Sequence, residues 1–256
     1  MYNIENMDFM DFYFAGHKLS EFGGYVGSSD GGIKSYSVLP QRNYVTDRAI
    51  GSDIETIYSS NLQPRTFEVP VVFEELTNGK LREIAQWLNS PKPSQFYWIG
   101  DSVYCNVVLD GSDFNASTSS GIDAQIPLKF ICYDPFLHNL TQTKHTISPL
   151  VSGKENTFTN KGYGDLPPII TIAGSGEIKI EVLGSDKKVL TTTTIKDVTG
   201  GVTLNSKTLE CTLMSGASHF RNMTGSFPLL PSGSFSIKVT GNSLTNMQLN
   251  YTERWL

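Results

Sequence analysis

The period of the hydrophobic pattern changes along the chain. Over residues 78–89, Leu81, Ile84, Ala85 and Leu88 recur at helical spacing, with Lys80, Arg82, Glu83 and Gln86 turned outward. Thr77 or Asn78 can cap this helix, and Ser90-Pro91-Lys92-Pro93 stops it, because proline supplies no N–H to the ladder. Trp87 lies beside the apolar stripe and is read as packing on an adjoining sheet. Elsewhere in the first half the signals are those of strands. Residues 9–19 predict a strand pair turning at Gly16, and residues 33–39 and 67–73 predict one strand each. Residues 96–99 and 103–109 predict a hairpin across Gly100-Asp101-Ser102, and residues 126–132 a further strand. Pro70 assigns its strand to an edge or a bulge, and an interrupted edge is where a neighbouring subunit could complete a sheet.

Two polar stretches interrupt this half. Residues 40–61 look irregular, with few large aliphatics to bury, and are expected to project; Arg42, Tyr44, Asp47 and Arg48 are the candidate subunit contacts there. Residues 111–121, rich in Ser, Asn and Asp, are expected to form a mobile loop or an extended arm.

Beyond Asp134-Pro135 only strand signals occur, over residues 169–173, 177–183, 189–195, 202–204, 208–214, 235–240 and 247–254. Their spacing is that of a β-sandwich. Gly174-Ser175-Gly176 reads as a hairpin turn, since neither a helix start nor a Lys-Ser/Thr pair follows to make it a phosphate loop. The expected fold class is therefore mainly β: an N-terminal β domain with one α-helix over residues 1–138, and a C-terminal sandwich over residues 139–256.

Composition narrows the function. Of 256 residues, 39% are hydrophobic and only 18% charged, with 23 glycines, as suits many short strands joined by turns. The net charge of −5 offers no overall basic surface to neutralise phosphates, which excludes sequence-specific nucleic acid as an expected partner. Acidic residues at the N-terminus and the lack of a long apolar run make a signal peptide or membrane insertion unexpected. Cys105, Cys132 and Cys211 have no close pair in sequence, so they read as buried small hydrophobes of a protein made in a reducing cytoplasm.

Catalytic chemistry finds little support. His17, His138, His145 and His219 are scattered, and none belongs to a metal-ligand pattern. Glu74-Glu75, Glu181 and Asp186 read as solvated strand-end carboxylates. No catalytic, cofactor-binding or metal-ligating residue is assigned, and the chain is not expected to be an enzyme. His219-Phe220-Arg221-Asn222 is the one compact cluster in which an exposed ring could stack on a sugar while Arg221 and Asn222 hold its hydroxyls.

Several segments together resemble one family. They are Phe14-Ala15-Gly16 through Phe22-Gly23, the helix 81–89 with the aromatic strand Gln95-Phe96-Tyr97-Trp98-Ile99 after it, and Cys132-Tyr133-Asp134-Pro135-Phe136. In the second half they are residues 166–176, Phe227-Pro228-Leu229-Leu230-Pro231-Ser232-Gly233, and the ending from Tyr251 to Trp255. This set resembles the distal tail proteins (Dit) of long-tailed phages. The resemblance implies a galectin-like C-terminal sandwich and N-terminal domains that close into a ring, a hexamer in that family. Such a ring joins the tail-tube protein to a tail-tip or tail-associated protein and to receptor-binding proteins, within a virion assembled in the host cytoplasm. The alternative function carried by the sandwich is a carbohydrate-binding adhesin module for host attachment. One departure concerns residues 40–61, which lack the Pro-Gly-rich turn expected where that family has a belt-like hairpin.

Overall fold

Antiparallel β-structure dominates both halves of the chain, and a computed structural model describes it over residues 8–27, 40–48, 50–51, 53–74, 76–111, 117–118 and 124–256. Contacts divide it into two units, residues 1–138 with Leu256 and residues 139–255.

The first unit begins with β1 (Asp8–Phe14), which turns through Ala15-Gly16 into β2 (His17–Lys18). Gly16 has φ +96°, a conformation open to glycine at no steric cost, so the tight turn expected there forms. A 3-10 turn (Leu19–Phe22) leads to β3 (Gly24–Val26). Two strands of a separate small sheet follow, β4 (Arg42–Asp47) and β5 (Thr56–Leu62), before β6 (Arg65–Phe73). Helix α1 (Asn78–Leu88) precedes β7 (Ser94–Ile99), β8 (Val103–Asp110), β9 (Ser117–Thr118), β10 (Ala124–Cys132) and β11 (Leu137–Asn139). The main sheet runs β2-β1-β7-β8-β10-β6-β3, each neighbour antiparallel. Because β1 and β3 approach each other, the sheet curls around its inner face. The expected strand over residues 33–39 and most of the expected loop over residues 111–121 lie outside the described residues.

That inner face is aromatic. The Phe12 ring stands 5.0 Å from Phe96, 6.1 Å from Phe130 and 6.2 Å from Trp87, and Phe67 lies 5.4 Å from Phe130. Stacked, tilted and edge-on pairs of this kind add to the burial of large apolar area. The helix closes this core with Ile84, Trp87 and Leu88, whereas Ala85, expected on the apolar stripe, is exposed. Trp87 is the better core residue because its ring stacks on Phe22 at 4.5 Å and its indole N–H donates to the Phe14 carbonyl at 2.7 Å. Thr77 is the cap: its hydroxyl accepts from the Lys80 N–H at 3.2 Å.

Pro70 corrects the edge assignment of its strand. β6 is an interior strand, paired with β10 along nine residues and with β3 at its far end. Pro70 faces Pro127 across β10, and its carbonyl accepts from the Gly27 N–H at 3.0 Å on the other side. The polar groups of Pro70 thus point away from β10, so the two prolines form a non-hydrogen-bonded pair in which neither missing N–H interrupts the β6–β10 ladder.

In the second unit the strands are β12 (Thr143–Ile147), β13 (Glu155–Asn160), β14 (Ile169–Leu183), β15 (Val189–Val198), β16 (Val202–Asn205), β17 (Glu210–Leu213), β18 (Met223–Gly225), β19 (Gly233–Tyr251) and β20 (Arg254–Trp255). Two of them replace four of the strands expected from sequence. Gly174-Ser175-Gly176 is not a hairpin turn; it lies inside the 15-residue β14, and the gap expected between residues 240 and 247 lies inside the 19-residue β19. The ladder between β14 and β19 slips at two places, between Ala173 and Gly174 and between Ser175 and Ile178. Such irregularities bend both strands while leaving them paired on either side. On one side of the bend, residues 169–173 pair with β16 and with the last part of β19, which also holds β12. On the other, residues 178–183 pair with β15 and with the first part of β19, which also holds β13.

One sheet thereby makes both layers of a sandwich. Ile170, Ile172 and Leu249 from one side share a core with Ile180, Val182 and Val239 from the other. Gly174 is required at the bend, because a Cβ there would lie 2.7 Å from the Ser243 carbonyl oxygen. The end of the chain is tied to the start of the unit: Asn139 N–H donates to the Glu253 carbonyl at 3.0 Å, and the Trp255 indole donates to the Asn139 side chain at 2.8 Å.

Candidate functional site

The segment expected to be irregular is a regular hairpin. β4 and β5 pair with each other from Arg42 opposite Leu62 to Asp47 opposite Thr56, and the Gln63 N–H to Gln41 carbonyl bond, 2.8 Å, extends the ladder at its base. Val45 faces Ser59 and Thr46 faces Ile57, which leaves Tyr58 as the extra residue of a bulge. The absence of a Pro-Gly-rich turn therefore does not prevent a hairpin from forming, since β-branched and aromatic residues in both arms, Tyr44-Val45-Thr46 and Thr56-Ile57-Tyr58, favour strand.

The hairpin adds no strand to the main sheet. A two-stranded ribbon of this kind is marginal by itself in water. It nevertheless carries Tyr44 at 51% exposure, Ile57 at 61%, Tyr58 at 67% and Ile54 at 77%, with Val45 and Ile50 also exposed. Sequence reading missed this apolar surplus because Ile50, Ile54 and Ile57 are spread among charged residues. The signal available was the pair of β-branched arms.

Of the residues proposed as subunit contacts, Arg42 and Tyr44 point to one face of β4 and Asp47 to the other, by the alternation of a strand. Arg48 lies just past the strand end. The Arg42 guanidinium donates to the Ser60 hydroxyl at 3.3 Å, and Arg48 donates to the Asp53 carbonyl at 3.2 Å. These bonds hold both arginines along the ribbon, so both of its faces present polar groups around apolar ones. Near the helix, an open groove of about 460 Å³ is lined by His17, Phe22, Glu83, Gln86, Trp87 and Asn89. Its floor is the stacked Phe22–Trp87 pair and its rim is polar.

In the second unit the candidate sugar cluster forms a short 3-10 turn (Phe220–Asn222). Phe220 is 53% exposed and lies nearly parallel to Phe227 with centroids 6.1 Å apart. The Asn222 amide donates to the Asp197 carboxylate at 3.1 Å, and the His219 ring meets the Lys196 carbonyl at 2.7 Å. Phe220 and Asn222 are thus brought beside Asp197, a residue not singled out by sequence, and Arg221 is exposed next to them. The remaining histidines make separate local contacts: His17 with Glu21, His138 with Asp134 and His145 with the Tyr251 hydroxyl. Among the described residues no three His, Cys, Asp or Glu side chains are grouped to hold a metal ion.

A curled aromatic-cored sheet with a projecting ribbon, followed by a folded-over sandwich, is an arrangement with counterparts among phage tail proteins. Residues 7–132 match the family model of the phage tail protein N-terminal domain. Among solved structures, the Dit protein of phage SPP1, described as a paradigm of the hub adsorption apparatus in phages infecting Gram-positive bacteria, aligns with a TM-score of 0.74 at 16% identity. That alignment covers 96% of this chain and 99% of the SPP1 protein. A chain of the phage p2 baseplate in its activated conformation aligns with a TM-score of 0.52 at 10% identity, over 95% of this chain and 97% of that one. A prophage-derived uncharacterized protein of Bacillus subtilis (strain 168), YomH, is 22% identical over 224 residues, covering 83% of this chain and 88% of the relative. At the level of the fold, the resemblance to distal tail proteins read from the sequence is borne out.

Proposed function

We propose that the protein is a structural hub of a phage tail tip or baseplate, in which copies of the first unit close into a ring. The ring, a hexamer on the pattern of distal tail proteins, connects the tail-tube protein to a tail-tip or tail-associated protein and to receptor-binding proteins. The exposed hairpin is the observation that carries this reading. A ribbon too small to be stable alone, with six large apolar side chains in water, gains most when a neighbouring copy covers it. A heterologous contact of this sort generates a ring when its rotation closes. The likeness to the SPP1 hub and the p2 baseplate supports the same reading. Electron microscopy and native mass spectrometry of the purified full chain test it: annular particles with a central hole, of the mass of a ring, are expected. Solitary chains at every concentration, also unable to bind tail-tube protein, overturn it.

A second reading, a carbohydrate-binding adhesin module, is favoured by one observation, the exposed Phe220 face beside Asn222, Asp197 and Arg221. A stacking ring next to fixed polar groups suits a sugar. Binding on a glycan array that is lost in Phe220→Ala supports it, and silence of the array with unchanged host adsorption removes it.

A further inference from the structure

A ring built head to tail needs two different patches on every copy, one that reaches and one that receives. The ribbon is the first, and the groove beside helix α1 has the properties of the second. The base of the ribbon, where the Gln63 N–H meets the Gln41 carbonyl, adjoins β6 at Arg65. Phe22, on the groove floor, adjoins β3, whose Gly24 faces Phe73 at the other end of β6. The nine residues of β6 span roughly 27 Å between these two ends. Among the described residues that line the groove, none belongs to the ribbon. The two patches thus lie toward opposite ends of the first unit, where one copy can hold a neighbour and be held by another.

Their chemistry is complementary. Opposite residues of an antiparallel pair share a face, so Arg42, Tyr44 and Thr46 stand with Leu62, Ser60 and Ile57 on one face of the ribbon. Arg42 is the one charged residue of that set, and Asp47 lies on the other face. The groove carries the opposite sign. Glu83 is the one carboxylate among the described residues lining it, no lysine or arginine lines it, and Gln86 and Asn89 make the rest of its rim polar. On the floor, Trp87 already spends its indole N–H on the Phe14 carbonyl, so the stacked Phe22–Trp87 pair offers apolar surface and no donor. Such a floor suits a ring or an aliphatic chain. At about 460 Å³ the groove falls in the range, ~300–1,000 Å³, that takes up small organic molecules, which is ample for a tyrosine ring.

We propose that the Arg42–Tyr44–Ile57 face of one copy's ribbon seats in the Phe22–Trp87 groove of the next copy, with the Tyr44 ring on the aromatic floor and the Arg42 guanidinium on the Glu83 carboxylate. This contact rests on the ring reading above and names the surface that receives the ribbon. Tyrosine and arginine are among the residue types that carry most of the binding energy at interfaces, and here both come from one strand face. The charge pair sits at the rim, where it sets the register of the ribbon more than its affinity.

The test uses the full chain, whose own three cysteines are buried, and changes only exposed side chains. Thr46→Cys places a thiol beside Tyr44 on the ribbon, and Gln86→Cys places one on the groove rim. Co-assembled in equal amounts and mildly oxidised, the two variants are expected to give a disulfide-linked dimer with one chain of each kind, and neither variant alone is expected to link. Glu83→Arg sets like charges face to face and should raise the concentration at which rings form by at least about tenfold, with Arg42→Glu in the same chain restoring it. Native mass spectrometry reads both. Wild-type rings that give no mixed dimer, that ignore Glu83→Arg, or that are lost in Glu83→Arg without being restored overturn this contact and leave the ring in place. A Gln86→Cys thiol that maleimide labels freely in the ring, and that becomes shielded only when tail-tube protein is added, assigns the groove to that partner and overturns the contact as well. If the wild type stays a solitary chain at every concentration, ring and contact fall together.

Discussion

The two units meet the same requirement, covering one face of a β-sheet, by different means. The first curls its sheet around phenylalanine and tryptophan rings and closes it with a helix, and still leaves a ribbon with Tyr44, Val45, Ile57 and Tyr58 in water. The second folds one sheet onto itself through bends in β14 and β19, and its core of Ile, Val and Leu is complete within its own residues. Its exposed apolar side chains, among them Val189, Leu209, Met214 and Leu229, come from separate turns and strand ends, as single surface hydrophobics commonly do. The difference lies in clustering, since the first unit gathers its exposed apolar side chains on one ribbon and the second scatters them, and this is why the proposed ring contact is placed on the first.

The largest effect that could break this contrast is on assembly. Each hairpin side chain covered by a neighbour contributes about 1.5–3 kcal/mol. Tyr44→Ser, Ile57→Ser and Tyr58→Ser together should weaken association by about fortyfold or more even if half of that sum is realised, since each ~1.4 kcal/mol is tenfold. Native mass spectrometry should show rings replaced by single chains. Thermal unfolding of either unit should hardly move, because the replaced side chains are exposed. Rings that persist in the triple variant would mean that another surface joins the copies.

Next in size is the independence of the two cores. Phe12 is fully buried and meets Phe96, Trp98, Phe130 and Trp87, so Phe12→Ala should cost the first unit about 3–5 kcal/mol. Leu249→Ala should cost the second about 2–5 kcal/mol. Calorimetry is expected to show each variant lowering a different transition. If both transitions shift together in either variant, the two cores are coupled and the comparison fails.

How far the chain could be read beforehand follows the same division. Helix α1 was legible because its apolar stripe, Thr77 cap and proline stop agree, and the β7–β8 hairpin because Gly100 sits between two aromatic and aliphatic runs. Trp87, read as packing on the adjoining sheet, does so, whereas Ala85, placed on the stripe, is exposed, because periodicity cannot foresee that an indole N–H will find the Phe14 carbonyl and turn the helix toward it. In the second unit, Gly174-Ser175-Gly176 has turn chemistry, yet its neighbours stay paired because β19 bends at the facing residues; only a partner strand far along the chain decides between turn and bend. Pro70 misled for a related reason, since its harmlessness depends on Pro127 lying opposite. Of the candidate contacts, Arg42, Tyr44, Asp47 and Arg48 were read as one projecting segment, but the apolar residues opposite them, which give the ribbon its need for a partner, were not.

The bend itself can be tested by a smaller change. Gly174→Ala places a methyl 2.7 Å from the Ser243 carbonyl and 3.2 Å from the Leu244 side chain. Overpacking against backbone of this kind should destabilise the second unit by about 1–3 kcal/mol. The measurement is the urea midpoint of the second unit, with the first unit's midpoint as internal reference. An unchanged midpoint would show that the two layers are not pinned by a close crossing at Gly174.

The smallest effect is electrostatic and sits on a solvent-facing part of the same sandwich. Glu181 lies directly across from Lys238 and two residues from Lys179, with Lys179 Nζ at 2.6 Å and Lys238 Nζ at 3.5 Å. The Lys179 hydrogen bond, opposed in part by desolvation, lowers the Glu181 pKa below its ordinary value. A carboxyl whose folded pKa is depressed adds stability above the unfolded value, near ~4.3, and loses it as pH falls through the lower folded value. Both lysines reach water, with 43% and 36% of their side-chain surface exposed, so screening limits the contribution to a few tenths of a kcal/mol, on the order of an exposed pair. Unfolding midpoints of the second unit in wild type and Glu181→Gln should therefore differ slightly at neutral pH, and converge once the pH drops below the folded pKa. A gap of constant size across that range would mean that Glu181 acts through packing on the strand and not through its charge.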